Sequence, residues 1–392
     1  MLALVFVALV LLGTLAGAVA CFVFLPLLPA IAAVIVGVPL VPWLAVTLYG
    51  LVRRAQPIRP FDAAEQQRDA AGLGGEGRHV RTADGRIVEY LVYGSRHPDA
   101  RVIVQIHGAG TTGGWQCGMN AALCEELKLK GIAPSMPGYG YSDPLPGRRI
   151  ADFPRDLEAI LEAEDVGEFM VEGTSLGTAH AMAVAWHFGP DRCVAMGLNV
   201  PYLSEPICRE FDFQHDGDKL PKTDARAWYQ AWNFVAADLM YRAPLISPPA
   251  RHMGGLPDGG KVKAERPWVF EALGADQRRL VVRGTQGQGW DQFSYDVNTR
   301  WGFDPREIET RAVAVWYAED DRQCPPSHGE WLAGLFESRD SVTTSVRCLD
   351  EGFGHFTFLP SLGSEFRTGE ETMPATLLEL AGEARSAGES ES

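Results

Sequence analysis

The chain has 392 residues, of which 46% are hydrophobic and 22% charged, a composition that excludes a disordered, collagen-like or disulfide-rich protein. Lys and Arg total 35 against 50 Asp and Glu, and the formal net charge of −15 disfavours binding to nucleic acid. The seven cysteines include no pair at CxxC spacing, so the sequence predicts no disulfide framework and no metal site. We expect no cofactor.

The first 52 residues contain no Lys, Arg, Asp or Glu. About 20 apolar residues in a helix cross the hydrocarbon of a bilayer, so this stretch is long enough for two crossings. We predict a transmembrane hairpin with spans near residues 2–24 and 30–51, separated by a segment that contains Pro26 and Pro29.

A cleaved signal peptide is the alternative interpretation of this stretch, because Ala18-Val19-Ala20 resembles a cleavage site. The segment before it lacks the Lys or Arg that a secretory leader carries, which favours the hairpin. Arg53, Arg54 and Arg59 follow the second span, and positive flanks stay on the cytoplasmic side. The sequence therefore predicts a multi-pass membrane protein whose polar body lies in the cytoplasm.

Residues 53–78 are predicted to be a linker, since they contain two prolines and a Gly-rich run. Short apolar runs then alternate with helical patterns up to residue 382. The runs that predict strands are 79–82, 87–93, 101–106, 169–172, 194–200, 312–317 and 342–349, and the helical patterns include 119–130 and 178–188. A hairpin followed by βαβ units predicts an α/β fold with a mostly parallel central sheet and helices on both faces.

Two segments of the body break this alternation. Residues 201–300 are rich in Trp, Tyr, Pro and Gly and predict an inserted cap. The polar end, residues 383–392, is predicted to be disordered. The α/β body would then span residues 79–382.

The strongest chemical signal is a G-x-S-x-G motif formed by Gly173-Thr174-Ser175-Leu176-Gly177. It lies between an apolar run and a helical pattern, the context in which this motif lifts a nucleophilic serine out of a sharp strand-to-helix turn. Gly173 and Gly177 relieve crowding at such a turn, and the Leu176 amide at the helix N-terminus can stabilise an oxyanion. By itself the motif also occurs by chance.

A second signal is His107-Gly108-Ala109-Gly110, directly after the run 101–106. Acyl transfer needs two amide donors aimed at the developing oxyanion, and the N–H groups of Ala109 and Leu176 are the candidates. A plain strand-ending turn is the alternative. We interpret His107 as a residue that shapes this loop, not as a catalytic base.

The third and fourth signals are a carboxylate and a histidine that each follow a predicted strand. Asp321 is the preferred acid and Asp320 its substitute, in the turn 318–325. His355 follows Gly352-Phe353-Gly354, and a histidine on such a loop can turn Nε2 towards a serine and Nδ1 towards a carboxylate. Acidic turns and loop histidines are common singly, but the order serine, acid, histidine is that of α/β-hydrolases.

With these motifs the chain from about 79 to 380 resembles the α/β-hydrolase superfamily. Residues 137–143 look like the loop after the fourth strand, and 318–325 are similar to the G-x-x-D-x-x-x-P acid turn with Ala318 replacing the glycine. His107–Gly110 is similar to the oxyanion loop of monoglyceride-lipase-like members. The resemblance implies Ser175 as nucleophile, His355 as base and Asp321 as its orienter. Ser135, where many members have Asp, departs from the pattern.

The serine at the elbow selects among the reactions of this superfamily. Dehalogenase-like and epoxide-hydrolase-like members carry Asp there, whereas serine favours acyl chemistry. We expect a membrane-anchored hydrolase that cleaves a lipophilic carboxylic ester through an acyl-enzyme. Peptidase, thioesterase and carbon–carbon hydrolase activity remain alternatives, as does a non-catalytic membrane-tethered binding protein. Five tryptophans could line an acyl pocket or form the cap core: Trp228, Trp232, Trp268, Trp290 and Trp301.

Overall fold

The described strands form one eight-stranded sheet in a computed structural model of the chain, in the order β1-β2-β4-β3-β5-β6-β7-β8. The strands are β1 Glu76–Arg81, β2 Ile87–Gly94, β3 Arg101–Ile106, β4 Leu129–Pro134, β5 Phe169–Thr174, β6 Cys193–Asn199, β7 Ala312–Ala318 and β8 Thr343–Leu349. The structure describes residues 9–10, 12–20, 40–52, 57–204, 207–208, 269, 273, 276, 279–280, 282–283, 301–321, 323–349, 354–356 and 372–391.

Strand β2 is antiparallel to both of its neighbours, and the pairings from β4 to β8 are parallel. The β1–β2 hairpin closes with Arg81 opposite Ile87, across the turn expected from the sequence. The prediction of an α/β fold with a mostly parallel central sheet is confirmed.

Helices cover both faces of this sheet. They are α1 Ala63–Ala71, α2 Gly113–Glu126, α3 Phe153–Ala163, α4 Leu176–Arg192, α5 Pro326–Glu337 and α6 Met373–Glu391. Helix α2 begins earlier than the predicted range 119–130 because Thr112 caps its N-terminus by accepting a hydrogen bond from the Gly114 amide. It ends before β4, which takes up the last residues of that range.

The two faces of the parallel strands build two separate apolar cores. Val104, Val171 and Val315 point to the side of α3, α4 and α5. Their neighbours Ile103 and Met170 point to the opposite side, where α2 and α6 pack. Because both faces are buried, these strands are apolar at nearly every position, which is why they were visible as short continuous runs in the sequence.

The predicted linker, residues 53–78, differs from the structure. Asp62 caps helix α1 by accepting hydrogen bonds from the amides of Ala64 and Glu65, both at 3.0 Å. Gln66 Nε2 donates to the Arg78 carbonyl at 2.6 Å, so α1 is fixed against β1, which already begins at Glu76. The Pro and Gly residues of this segment therefore bound a packed helix and do not form a flexible tether.

The predicted disordered tail also differs, since α6 continues to Glu391. Its first half packs on the sheet through buried apolar side chains, Met373, Leu377 and Leu380. Residues 383–391 continue this helix, and Ala384 still packs against the same core.

Residues 2–8, 11, 21–24 and 30–39 of the predicted membrane hairpin, spans 2–24 and 30–51, lie outside the described residues. Residues 12–20 and 40–52 are described and helical. Within the described part of the chain, no helix combines the length and apolar character needed to cross a bilayer. Most of the predicted cap, residues 201–300, also lies outside the described residues.

Candidate active site

Ser175 occupies a strained turn between β5 and α4, with φ 56° and ψ −125°. A side chain at Gly173 would overlap the Gly177 carbonyl, and one at Gly177 would overlap the carbonyls of Ile106 and His107. The Ser175 amide donates to the Asn199 carbonyl at 2.9 Å, which ties the turn to β6. The two motif glycines thus permit a close approach of strand, turn and helix that holds the serine in an unfavourable backbone conformation.

Ser175, His355 and Asp321 come together at the carboxyl ends of β5, β7 and β8. His355 Nε2 lies 3.1 Å from Ser175 Oγ, and His355 Nδ1 lies 2.9 Å from Asp321 Oδ2. The side chain of His355 is 9% exposed and that of Asp321 is fully buried. The imidazole therefore has one defined orientation, with a carboxylate on one nitrogen and a hydroxyl on the other.

Asp321 rather than Asp320 contacts the histidine. The second oxygen of Asp321 accepts hydrogen bonds from the amides of Gln323 at 2.8 Å and Cys324 at 2.9 Å, so the carboxylate cannot rotate freely. Asp320 Oδ1 instead accepts a hydrogen bond from the Gly354 amide at 3.1 Å, next to His355. The two adjacent acids have different tasks: one orients the imidazole and the other holds its loop.

The environment of His355 shifts its proton affinity. Burial alone lowers the pKa of His355, but the Asp321 carboxylate favours the imidazolium, and the pKa is raised well above its ordinary value of 6.5. The carboxylate beside Nδ1 also places the N–H on that nitrogen in the neutral ring, which leaves Nε2 as the acceptor that faces Ser175.

The loop after β3 passes directly beside the serine. A side chain at Gly108 would come within 3.2 Å of Ser175 Cβ. Ala109 packs against a small buried group that includes Leu176, Tyr202 and Cys324. Ala109 and Leu176, whose amides are the expected donors, therefore belong to one cluster beside the serine turn. Gly110 has φ 73°, a conformation that favours glycine.

His107 lies beneath this loop, fully buried. Its Nε2 accepts a hydrogen bond from the Met136 amide at 3.0 Å, and Nδ1–H donates to the Gly108 carbonyl at 2.8 Å. Burial lowers the pKa of His107 to about 4, so the ring is neutral near pH 7 and both nitrogens are engaged. These contacts hold the loop in place and leave no nitrogen for proton transfer.

A thiol that the sequence analysis did not single out lies in the same site. Cys324 Sγ is 3.9 Å from Ser175 Oγ. Asp321, Cys324 and His355 each place one possible metal-ligand atom within 4.8 Å of the others. Because Asp321 Oδ2 and His355 Nδ1 already share a hydrogen bond, we interpret this group as an acid–base pair with a neighbouring thiol.

Ser135 belongs to a buried carboxylate site on the other side of the loop. Its hydroxyl donates to Glu89 Oε2 at 2.8 Å and accepts from the Gly113 amide at 3.1 Å. Glu89 Oε2 also accepts from the Tyr141 amide at 2.9 Å. Glu89 carries no motif in the sequence; its one signal is a charged residue inside the otherwise apolar strand β2.

These observations define a class of protein: a strained serine, a histidine and a buried carboxylate at the carboxyl edge of a mostly parallel sheet are typical of serine hydrolases. The sequence profile of the α/β hydrolase fold family matches residues 101–361, more than half of the chain. The chain belongs to this family, and its activity is hydrolytic. No protein of curated function shows significant sequence similarity to the chain.

Solved structures share the fold at low sequence identity. A bacterial membrane phospholipase A described as a virulence factor is similar at TM-score 0.52 and 16% identity, covering 90% of this chain and 98% of its own. An esterase from Thermogutta terrifontis is similar at TM-score 0.51 and 16% identity, covering 79% and 99%. A putative lipase from Acinetobacter baumannii is similar at TM-score 0.50 and 14% identity, covering 84% and 99%.

Proposed function

We propose that the protein hydrolyses a carboxylic ester through an acyl-enzyme on Ser175. The observation that carries this proposal is the continuous chain of contacts from Ser175 Oγ through His355 to Asp321, at 3.1 Å and 2.9 Å. A serine hydroxyl is a weak nucleophile until a base within hydrogen-bonding distance takes its proton, and His355 Nε2 is that base.

The reaction proceeds in two halves on these residues. Ser175 Oγ attacks the ester carbonyl while its proton moves to His355 Nε2, and the tetrahedral oxyanion accepts hydrogen bonds from the amides of Ala109 and Leu176. The imidazolium then protonates the leaving alcohol. Water attacks the acyl-enzyme with His355 again as base, and the acid leaves. Asp321 holds the tautomer and stabilises the imidazolium in both halves.

The substrate that fits this site best is a lipophilic ester. A small buried cluster of Leu176, Tyr202 and Cys324 lies beside the serine turn, with Cys324 Sγ 3.9 Å from Ser175 Oγ. The similar solved structures include proteins described as an esterase, a putative lipase and a phospholipase A, which agrees with an ester but does not select the acyl chain.

We further propose that the N-terminal part of the chain anchors the enzyme in a membrane with the hydrolase domain in the cytoplasm. The described parts of this region carry large apolar side chains that face outward, including Leu12 at 64%, Leu15 at 64% and Leu48 at 64% exposed. Exposed aliphatic rows of this kind need an apolar surrounding. The full chain should sediment with membranes and resist carbonate extraction; release by carbonate would contradict anchoring.

The sidedness has its own test. Protease added to intact cells should leave the hydrolase domain uncut, and the same protease should digest it after lysis. Digestion from outside, or a mature N-terminus mapped at Cys21, would overturn the topology and leave the hydrolase proposal unaffected.

The activity is tested with a series of p-nitrophenyl esters of increasing acyl length on the purified full chain, with Ser175→Ala as the control. We expect turnover that depends on Ser175 and prefers longer acyl chains. Absence of Ser175-dependent turnover on every ester, combined with turnover of a thioester or peptide series, would replace the ester by that substrate class. Absence on all three series would favour the non-catalytic alternative.

A further inference from the structure

The described residues of the predicted cap include a buried helical face that docks beside the oxyanion loop. Val269, Leu273, Asp276 and Leu280 recur at helical spacing and are all buried. Within this apolar face one member is a carboxylate, Asp276, with no exposed surface. A buried carboxylate is costly unless hydrogen bonds or an opposite charge compensate it, so its partners should be specific.

Asp276 is bound by Thr112 of the hydrolase domain and also lies 4.0 Å from Arg279 Nε on its own segment. The Thr112 amide donates to Asp276 Oδ2 at 2.8 Å, and Thr112 Oγ1 donates to Asp276 Oδ1 at 2.5 Å. Thr112 Oγ1 also accepts from the Gly114 amide at 3.0 Å, which begins helix α2. Thr112 is therefore held simultaneously by the cap helix and by the helix that it caps.

Thr112 ends the loop that carries the expected oxyanion donor. The loop starts at His107, which the Met136 amide fixes at 3.0 Å, and Thr111 Oγ1 donates to the Gly108 carbonyl at 3.1 Å within it. The Ala109 amide lies between these two fixed ends, three residues before Thr112. The carboxylate of Asp276 therefore sets one end of the loop on which the donor depends.

Arg279 balances the charge of this cluster. Its guanidinium donates to Glu89 Oε1 and, through Nε, to Thr112 Oγ1 at 3.3 Å. Arg279 thus pairs with both buried carboxylates of this cluster, Glu89 and Asp276, and a buried carboxylate that loses its cation is costly. Arg279 is 3% exposed, and Nη1 lies 3.9 Å from Asp69 Oδ2 in α1, so the segment first predicted as a linker completes the cluster.

We propose that Asp276 and Arg279 are positioning residues for the oxyanion loop, acting through Thr112, so that the cap sets the place of the Ala109 amide. This inference rests on the proposed function, because a positioned oxyanion donor has a purpose only in acyl transfer. It predicts that loosening the cluster lowers the stabilisation of the tetrahedral state more than it weakens substrate binding.

The first test is Asp276→Asn in the full chain, with Asp191→Asn as the matched control, since Asp191 pairs with Arg311 on the surface and its side chain is 88% exposed. We expect kcat to fall about 10- to 100-fold with KM changed less than about 3-fold, the scale of a misplaced catalytic group. The control should match the wild type. A wild-type kcat for Asp276→Asn, or a loss confined to KM, would overturn the proposal.

A second pair of variants covers the case in which Asp276→Asn fails to fold. Thr112→Ser keeps the hydroxyl that meets Asp276 and caps α2, whereas Thr112→Val has the same shape without it. Thr112→Ser should keep wild-type kcat within about 3-fold and Thr112→Val should lose about 10-fold or more at an unchanged KM. Equal kcat values for the two variants would contradict the positioning role.

Hydrogen–deuterium exchange of residues 107–116 gives a readout that needs no substrate. We expect faster exchange of this loop in Asp276→Asn and Thr112→Val than in the wild type and Asp191→Asn, with the rest of the sheet unchanged. If the loop exchanges at the wild-type rate in Asp276→Asn and Thr112→Val, the positioning proposal is contradicted even if the enzyme is an active esterase. Faster exchange in a protein with no Ser175-dependent turnover would instead support the positioning of the loop and reject the proposed function.

Discussion

Two buried aspartates, Asp321 beside His355 and Asp276 beside Thr112, differ in how they are held. Asp321 lies in a turn directly after β7, and its own chain neighbours, Gln323 and Cys324, donate the amides that fix it. Asp276 lies on a cap helix, and its partners come from Thr112, which is 164 residues away in the sequence. One carboxylate is set by local turn geometry and the other only by the docking of distant segments.

This difference explains what the sequence could predict. Ser175, Asp321 and His355 each follow a strand, and the neighbouring glycines or acidic turn mark them, so local patterns sufficed for all three. The strands of the parallel sheet were equally visible because burial on both faces makes them continuously apolar. Short local patterns in the sequence therefore predict the parallel sheet and the positions of these three residues.

The cluster around Arg279 has no comparable local pattern in the sequence. Asp276 and Arg279 look like the polar side of a surface helix, and among the described residues their partners include Thr112 and Glu89, which lie far away in the sequence. The prolines before helix α1 and the glycines after it are typical of a linker, and for this reason the helix was not predicted. The one usable signal was the apolar spacing of Val269, Leu273 and Leu280, which predicts a docked helix face but names no partner.

The largest expected effect separates Asp321 from its neighbour Asp320. Asp321→Asn should lower kcat about 10³- to 10⁴-fold because the amide no longer fixes the imidazole tautomer. Asp320→Asn, which loses only charge at the Gly354 amide, should retain most of the activity. Steady-state kinetics on both variants decide this; a severe Asp320 variant beside a mild Asp321 variant would reverse the assignment.

The pH profile should report the charge that Asp321 places beside His355. The neutral imidazole is the base, so kcat/KM should fall about tenfold per pH unit below the pKa of His355, which is raised above 6.5. In Asp321→Asn this acid limb should move to lower pH, because the carboxylate that favours the imidazolium is gone. Asp191→Asn, whose side chain is 88% exposed at the surface, should keep the wild-type limb. An identical limb in wild type and Asp321→Asn would contradict the pairing.

A third buried carboxyl, that of Glu172, affects the pH dependence of the free energy of unfolding. Glu172 on β5 accepts from Gln105 Nε2 at 2.7 Å, and burial raises its pKa to about 7. The folded state holds this proton more tightly than the unfolded chain does. Glu172 therefore contributes fully to the free energy of unfolding below about pH 4. Up to about 3 kcal/mol of that contribution is lost as the pH rises through about 7. Glu172→Gln should remove that loss, as unfolding in urea at pH 5 and pH 8 would show.

Glu164 is the matched control of opposite sign. Burial opposes its ionisation, but Lys130, Tyr90 and Arg78 lower its pKa, so its contribution is present at neutral pH and is lost as pH falls. Glu164→Gln should therefore weaken the protein at pH 8 more than at pH 4. The same pH dependence for both variants would show that these charges do not control stability as proposed.

Labelling of the full chain with a fluorophosphonate probe, followed by peptide mass spectrometry, tests the central assignment most directly. We expect a single covalent adduct on Ser175, with labelling strongly slowed in His355→Ala and absent in Ser175→Ala, because the hydroxyl reacts only when Nε2 takes its proton. Labelling of Ser175→Ala at the wild-type rate, or an adduct on another residue, would contradict the account.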